Sequence, residues 1–287
     1  MSATMTAGAT RTLHQHDAAR LHFSGVLRSE WIKMRSLRST IWSLVVLVVL
    51  PVGIGVLLAS LANDDGRSFT GDAARNALVQ YSTVGTTISV LVVAVIGALV
   101  VTGEYGTGMI RSTFAAVPRR WEALAAKGIV LAVTIFVASA ISVWATAFVT
   151  VPIANANHVE ASLDGSVAMP LLGASVYVTL IGLLAFAVGV IVRSTAGAIA
   201  SVLGLMLVAP VIVQLVQGFT NAKWLGTLNN LLPQNAGQPL MQFGTKDTSG
   251  WHDGVLALGG WSGFAVLTAW VVVAMVTALV LAQKRDA

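Results

Sequence analysis

The chain has 287 residues, of which 56% are hydrophobic and only 10% charged, too little polar surface to cover a soluble globule of that length. It has no cysteine, which excludes disulfides, thiolate catalysis and zinc-thiolate sites. The formal net charge of +5 has a membrane explanation in the loop asymmetry described below, and a nucleic-acid reading is not needed.

Residues 1–22 are polar and small, with no apolar run before a small-residue cleavage site. They read as a disordered cytoplasmic tail rather than a signal peptide. Residues 23–38 come next. At 100° per residue, Phe23, Val26, Leu27, Trp31, Met34 and Leu37 share one arc, and Arg28, Lys33 and Arg35 lie on the other side, which predicts an amphipathic helix along the cytoplasmic membrane surface. A simple positively charged anchor is the plainer alternative. Glu30 falls inside the apolar arc, where a carboxylate requires a partner such as Lys33 or a basic residue of another segment.

Six apolar stretches follow: Thr40 to Ala62, Tyr81 to Thr102, Gly128 to Ile153, Leu171 to Val192, Gly197 to Gln217 and Gly254 to Gln283. None contains Asp, Glu, Lys, Arg or His. About 20 helical residues span a hydrocarbon core of roughly 30 Å, so each predicts a transmembrane helix, and the first acts as an uncleaved signal anchor. Ion-driven transporters usually keep a titratable group inside the membrane. Uncharged spans therefore weigh against a secondary transporter or channel, and any uphill work must draw energy from outside the bilayer.

The connections are unequal. Asn63 to Gln80 is rich in Asp and Gly and reads as a solvated outer linker, and Ala154 to Pro170 is short and acidic. Arg193 to Ala196 makes a tight inner hairpin. In the long outer segment Gly218 to Asp253, Trp224, Leu225, Leu228, Leu231 and Leu232 repeat at helical spacing before Pro233, which predicts a short helix at the outer interface or a loop capping the bundle. On the inner side, Gly103, Gly106 and Gly108 let the chain turn after span two. Met109 to Val117 then makes two helical turns, and Pro118 suits the first turn of the helix leading into span three. A connector this long with mixed apolar and basic content reads as a docking surface.

With the N-terminus in the cytoplasm, 13 of the 17 Lys and Arg residues lie inside; Arg67, Arg75, Lys223 and Lys246 lie outside. Both termini are then cytoplasmic by the positive-inside rule.

Polar residues inside the spans are few. Ser82, Thr86 and Ser89 repeat at helical spacing in the outer half of span two, and Gln214 and Gln217 mark the outer end of span five. They are candidates for an outer vestibule of a transport pathway, or simply hydrogen-bond packed helices together. Ala196, Ala200 and Gly204 give span five a small-residue face for close helix contact, and Pro51 and Pro210 predict kinks. All five histidines lie outside the spans, and His14 with His16 in the tail does not make a metal site. No Gly-Lys dipeptide occurs, so the phosphate-cradling loop of an ATPase is absent. The chain is expected to have no catalytic residues and not to be an enzyme.

Four segments together resemble the membrane subunit of ABC-2 type exporters, the ATP-binding-cassette permeases with six spans per subunit. They are Leu27-Arg-Ser-Glu-Trp-Ile-Lys-Met-Arg-Ser-Leu-Arg38; Gly103-Glu-Tyr-Gly-Thr-Gly-Met-Ile-Arg111 with Val117-Pro-Arg-Arg120 and Ala126-Lys127; Val192-Arg-Ser-Thr-Ala-Gly197; and Leu232-Pro-Gln-Asn-Ala236. The resemblance covers nearly everything after residue 22 and implies one all-α six-span transmembrane domain over 23–287. It makes 23–38 the interface helix and 104–117 a coupling helix docking on a separate cytosolic ATPase subunit. Glu104 would sit at the hinge below span two, paired with Arg28, Lys33 or Arg35. Tyr105, Met109, Ile110 and Phe114 would enter the ATPase groove, while Arg111, Arg119 and Arg120 would meet acids there or lipid headgroups. It further implies two ATPase copies holding ATP and Mg, a second permease subunit forming a homodimer or a pair with a related chain, a bacterial plasma membrane, and export of an amphiphilic compound. A non-transporting membrane anchor or scaffold that recruits a cytosolic partner is the alternative.

Overall fold

The computed structural model describes residues 22–62, 69–117, 119–244 and 249–284. Residues 1–21 of the expected tail, Arg67, Pro118, Lys246 and the last basic residue Arg285 lie outside them.

Helix α1 (Phe23–Ser36) ends at Leu37, whose extended backbone (φ −82°, ψ 110°) turns the chain into α2 (Arg38–Leu61). Span two is longer than its apolar core. It is built from α3 (Gly71–Thr83) and α4 (Thr86–Thr107), which together with the intervening turn form one stretch, Gly71–Thr107, long and apolar enough to cross a membrane. The linker predicted from Asn63 to Gln80 is thus helical from Gly71 onward. The Asp and Gly content of that segment hid Ala74, Leu78 and Val79, which are buried at helical spacing in a cluster with Val143 and Ala147. Between α3 and α4, Gly85 lies against Pro51 of α2; a Cβ there would come within 2.4 Å of the proline Cα. Only glycine lets the two spans meet at that point.

α5 (Met109–Ala116), α6 (Arg120–Ala156) and α7 (Gly165–Val192) follow. α4 and α7 form the centre of the bundle. The glycines let them approach closely: a Cβ on Gly97 would lie 2.4 Å from the Gly182 carbonyl oxygen, and Ile96, Val101, Ile181 and Phe186 are buried around this contact. By contrast α2 and α12 (Gly260–Lys284) expose long apolar faces, among them Val49, Leu57, Val272 and Val273.

Span five is interrupted. α8 (Thr195–Leu203) passes through a π-helical turn, Gly204–Val208, into α9 (Ala209–Thr220). Pro210 cannot donate to a preceding carbonyl, which accounts for an irregularity in the turn before it. Ala196 and Ala200 are exposed, and a Cβ on Gly204 would meet nothing within 4 Å, so this small-residue face is unoccupied within the described residues.

At Asn221 (φ 51°) the chain reverses into α10 (Lys223–Leu231), the predicted outer helix. It continues through α11 (Pro233–Gly237) and a 3-10 turn, Gln238–Met241. This return segment is wedged between α7 and α12: a Cβ on Gly173 would lie 2.0 Å from the Leu240 oxygen, and one on Gly263 2.2 Å from the Ala236 oxygen. Gly237 lies against the ring of Tyr177. Tyr177 is twelve residues into α7, about 18 Å along the helix at 1.5 Å per residue, so the segment re-enters the bundle rather than lying over its end.

Span six begins at Gly260, not at Gly254. Gly250–His252 and Val255–Ala257 form a two-stranded antiparallel hairpin pairing Trp251 with Leu256. Its turn is Asp253-Gly254, both at positive φ (49° and 83°). That dipeptide is a strong hairpin signal, concealed in the sequence by the apolar residues continuous with the span.

Candidate functional site

The end of the bundle bearing α1 and α5 holds most of the predicted coupling residues. α4 does not stop at Gly103 or Gly106 but runs to Thr107; only Gly108, at φ 73°, makes the left-handed turn that releases α5. Glu104 and Tyr105 therefore sit on the last turns of the span helix, not on the predicted 104–117 coupling helix.

Ile110 is 2% exposed and anchors α5 against the bundle. One turn later Phe114 packs beside Val26, Val117, Ala123 and Ala126, and the Arg120 guanidinium stands 5.4 Å from its ring centre. These two side chains, expected to point outward, hold the helix down, because an eight-residue helix needs tertiary packing to persist. Met109 and Arg111 lie on the free face, both exposed, with Ser112, Ala115 and Ala116. Arg119 pairs with Glu122 at 3.1 Å. Arg120 donates to the Ala282 carbonyl oxygen at 3.0 Å and so ties the start of α6 to the end of α12. Tyr105 is half-buried with the Arg193 guanidinium 5.1 Å from its ring centre.

Behind α5 lies a set of four charges contributed by three helices, three of them buried and Lys33 half-buried. Glu30 of α1 accepts from Lys33 at 2.8 Å and, through its other oxygen, from Lys127 of α6 at 2.5 Å. Glu104 Oε1, from α4, accepts from the same two lysines, Lys127 at 2.8 Å and Lys33 at 3.2 Å. Glu104 Oε2 has no hydrogen-bond partner among the described residues. Glu30, Glu104 and Lys127 are 3%, 5% and 4% exposed. Two carboxylates and two ammonium groups sum to zero, the arrangement in which ionised groups tolerate burial. Burial opposes the charge on Lys33, but its hydrogen bond to Glu30 and the charges of Glu30 and Glu104 outweigh that and raise its pKa above the ordinary 10.5. Beside this quartet is a cavity of about 600 Å³ walled also by Met34, Ile96, Val100 and Val130.

Lys33 is one of the partners expected for Glu104. Lys127 was missed as a site residue. The signal was there: two acids in apolar surroundings require more positive charge than Lys33 alone, and Lys127 stands directly before a span. Arg28 and Arg35 remain exposed, as does Trp31 at 44%. The side of α1 turned to the protein is therefore Val26, Glu30 and Met34, and the side with Trp31 faces outward.

At the opposite end, Thr86 lines a cavity of about 320 Å³ together with Tyr177 and side chains of the re-entrant segment. The other candidates for a pathway do not line it. Ser82 and Ser89 are 2% and 3% exposed and donate to the carbonyl oxygens of Leu78 and Gly85 one turn back. Gln214 is exposed on α9, and Gln217 lies beside Gly226 of α10. Serine and threonine here mostly satisfy themselves on their own helix.

No curated protein matches the chain. Residues 25–287 match the family described as ABC-2 family transporter protein, in accord with six helices long and apolar enough to cross a membrane. The chain is thus a multi-pass membrane protein of the ABC-2 transporter family, a transmembrane permease subunit of the kind that associates with an ABC ATPase.

Proposed function

We propose that the chain is the permease subunit of an ATP-driven exporter, with ATP and Mg held by two copies of a separate cytosolic ATPase and the α5 end facing the cytoplasm. It has no catalytic role of its own. It sits in a bacterial plasma membrane with both termini inside, pairs with a second copy or a related permease chain, and exports an amphiphilic compound. The observation that carries this reading is the mechanical linkage at α5. That helix presents Met109 and Arg111 outward while Ile110 and Phe114 fix its other face, and the charged quartet immediately behind it joins α1, α4 and α6. A load applied to α5 by a closing ATPase dimer would reach span two and span three through these contacts, at the ends of the two helices and outside the apolar stretches that carry no Asp, Glu, Lys, Arg or His.

The test is reconstitution with an ABC ATPase that co-purifies with the chain. The complex is expected to hydrolyse ATP faster than the ATPase alone, and Met109→Ala with Arg111→Glu is expected to lower that stimulation at least fivefold while leaving the permease's thermal midpoint unchanged. A stable complex with neither stimulation nor transport would instead identify a scaffold.

A further inference from the structure

The cavity at the far end from α5 has a composition unlike the rest of the bundle. Its wall carries five amide side chains: Asn76, Gln80, Gln234, Gln238 and Gln242. Three threonines, Thr83, Thr86 and Thr87, and the edge of Tyr177 complete the polar part. No Asp, Glu, Lys, Arg or His is among its lining residues. Arg75, the nearest cation in sequence, is engaged by Asp164 at 2.7 Å and Asp72 at 3.0 Å.

Such a wall selects by charge as well as by shape. Each amide offers two donors and an acceptor. Thr83 and Thr86 already donate to the carbonyl oxygens of Val79 and Thr83, leaving their own oxygens to accept. Gln234 Oε1 is buried with no hydrogen-bond partner among the described residues. A ligand that both donates and accepts satisfies this set; an ionised group entering it would be desolvated without a counter-charge. The re-entrant segment, short helical pieces broken by extended backbone at Leu232 and Gln242, fits the same conclusion, since interrupted chain among membrane spans is tolerated where it is buried in protein or lines a water-filled cavity. Where α10 leads into it, two carbonyl oxygens accept from side chains: that of Leu231 from Trp270 Nε1 at 2.9 Å, and that of Asn229 from Asn235 Nδ2 at 2.9 Å.

Across the 3-10 turn lies a second, larger cavity of about 680 Å³, lined by Met169, Leu172, Val176, Leu240, Trp261 and Phe264 and sharing Gln242 with the first. A polar chamber with no charged lining residue thus adjoins a largely apolar one, whose lining also includes Ser166 and Asp72, the latter paired with Arg75 at 3.0 Å, and Gln242 borders both.

We infer that this pair of cavities binds an amphiphile with an uncharged, hydroxyl-rich head, the head held by the amides and threonines and the aliphatic tail in the apolar chamber. The inference deepens the exporter reading, on which its role as substrate site rests, by naming the class of compound; binding itself requires no ATPase and is measured without one.

The experiment uses the full chain in phosphatidylcholine nanodiscs and radiolabelled octyl glucoside below its micellar concentration. Saturable binding is expected, displaced by unlabelled octyl glucoside and at least tenfold less well by octyl phosphate, octyl trimethylammonium or free methyl glucoside. Gln238→Leu and Thr87→Val alter exposed side chains, so folding is preserved, and each is expected to weaken binding between about three- and tenfold, the range of a lost hydrogen bond. Val176→Phe, which fills the apolar chamber, should weaken octyl glucoside binding as well. Equal displacement by the charged octyl compounds, equal displacement by methyl glucoside, or affinity unchanged in both polar variants would overturn the inference. Loss of ATPase stimulation with binding intact would count against the exporter reading alone.

Discussion

The two ends of the bundle handle polar groups in opposite ways. At the α5 end four ionised side chains, three buried and Lys33 half-buried, meet one another, and four hydrogen bonds join each carboxylate to both lysines. At the re-entrant end the polar groups are uncharged, several stay exposed, and they surround an opening. The first arrangement resists separation of the helices that carry it, because parting them strands a charge. The second leaves donors and acceptors available to something else. One end is built to transmit a displacement and the other to recognise a compound.

The largest effect is expected from breaking the quartet. Lys127→Met leaves Glu30 and Glu104 sharing Lys33, and an uncompensated buried charge costs about 3–5 kcal/mol. A fall of that size in detergent unfolding, with loss of ATPase stimulation, is the expected outcome. Adding Glu104→Gln should return part of the loss, since the remaining Glu30 and Lys33 are again balanced; coupling of roughly 1–3 kcal/mol in the double-mutant cycle measures it. Additive losses would mean that the four groups do not act together. At the other end, Gly173→Ala pushes a methyl group into the Leu240 backbone, which the close contact of 2.0 Å cannot admit. Overpacking of this kind costs about 1–3 kcal/mol. It should displace the re-entrant segment and abolish octyl glucoside binding, while ATPase docking through α5 persists. If docking fails too, the two ends are not separable.

Much of this contrast could be read from the chain, but unequally. The spans were legible because apolar stretches with no charges admit only one environment, and Glu30 and Glu104 were conspicuous as acids in the wrong surroundings. What decided their partner was distance in three dimensions: Lys127 lies 97 residues from Glu30, yet they meet at 2.5 Å. The periodicity of Met109 to Val117 revealed a helix but not which way it faces, since Ile110 and Phe114 are as apolar as a docking surface would be; only their neighbours Val26 and Ala126 show that they turn inward. The re-entrant segment was the least legible. The helical period read from the long outer segment stops before Pro233, nothing in the residues after it marks a return into the bundle, and the glycines that accept it, Gly173 and Gly263, sit on helices far from it in sequence.

The smallest effect lies at a contact that helps hold the re-entrant end together. Asp164 caps α7: its carboxylate accepts from the Ser166 hydroxyl, from the Ser166 and Val167 amides at 3.0 and 3.3 Å, and from Arg75 of α3 at 2.7 Å. The Ser166 hydroxyl, followed by Arg75, draws its pKa from 3.8 down to about 2. A carboxylate with a lowered folded pKa contributes stability that is fully present above its unfolded pKa and disappears as pH falls through the folded one. The α3–α7 contact should therefore weaken between about pH 4 and pH 2. Asp164→Asn retains some capping capacity but no charge, so its thermal midpoint should lie slightly below that of the parent at pH 7 and converge with it near pH 2. Because the α5 quartet contains no part of this contact, ATPase stimulation by the variant should equal that of the parent at neutral pH. A variant that loses stimulation would connect the two ends through α3 and remove the division of labour between them.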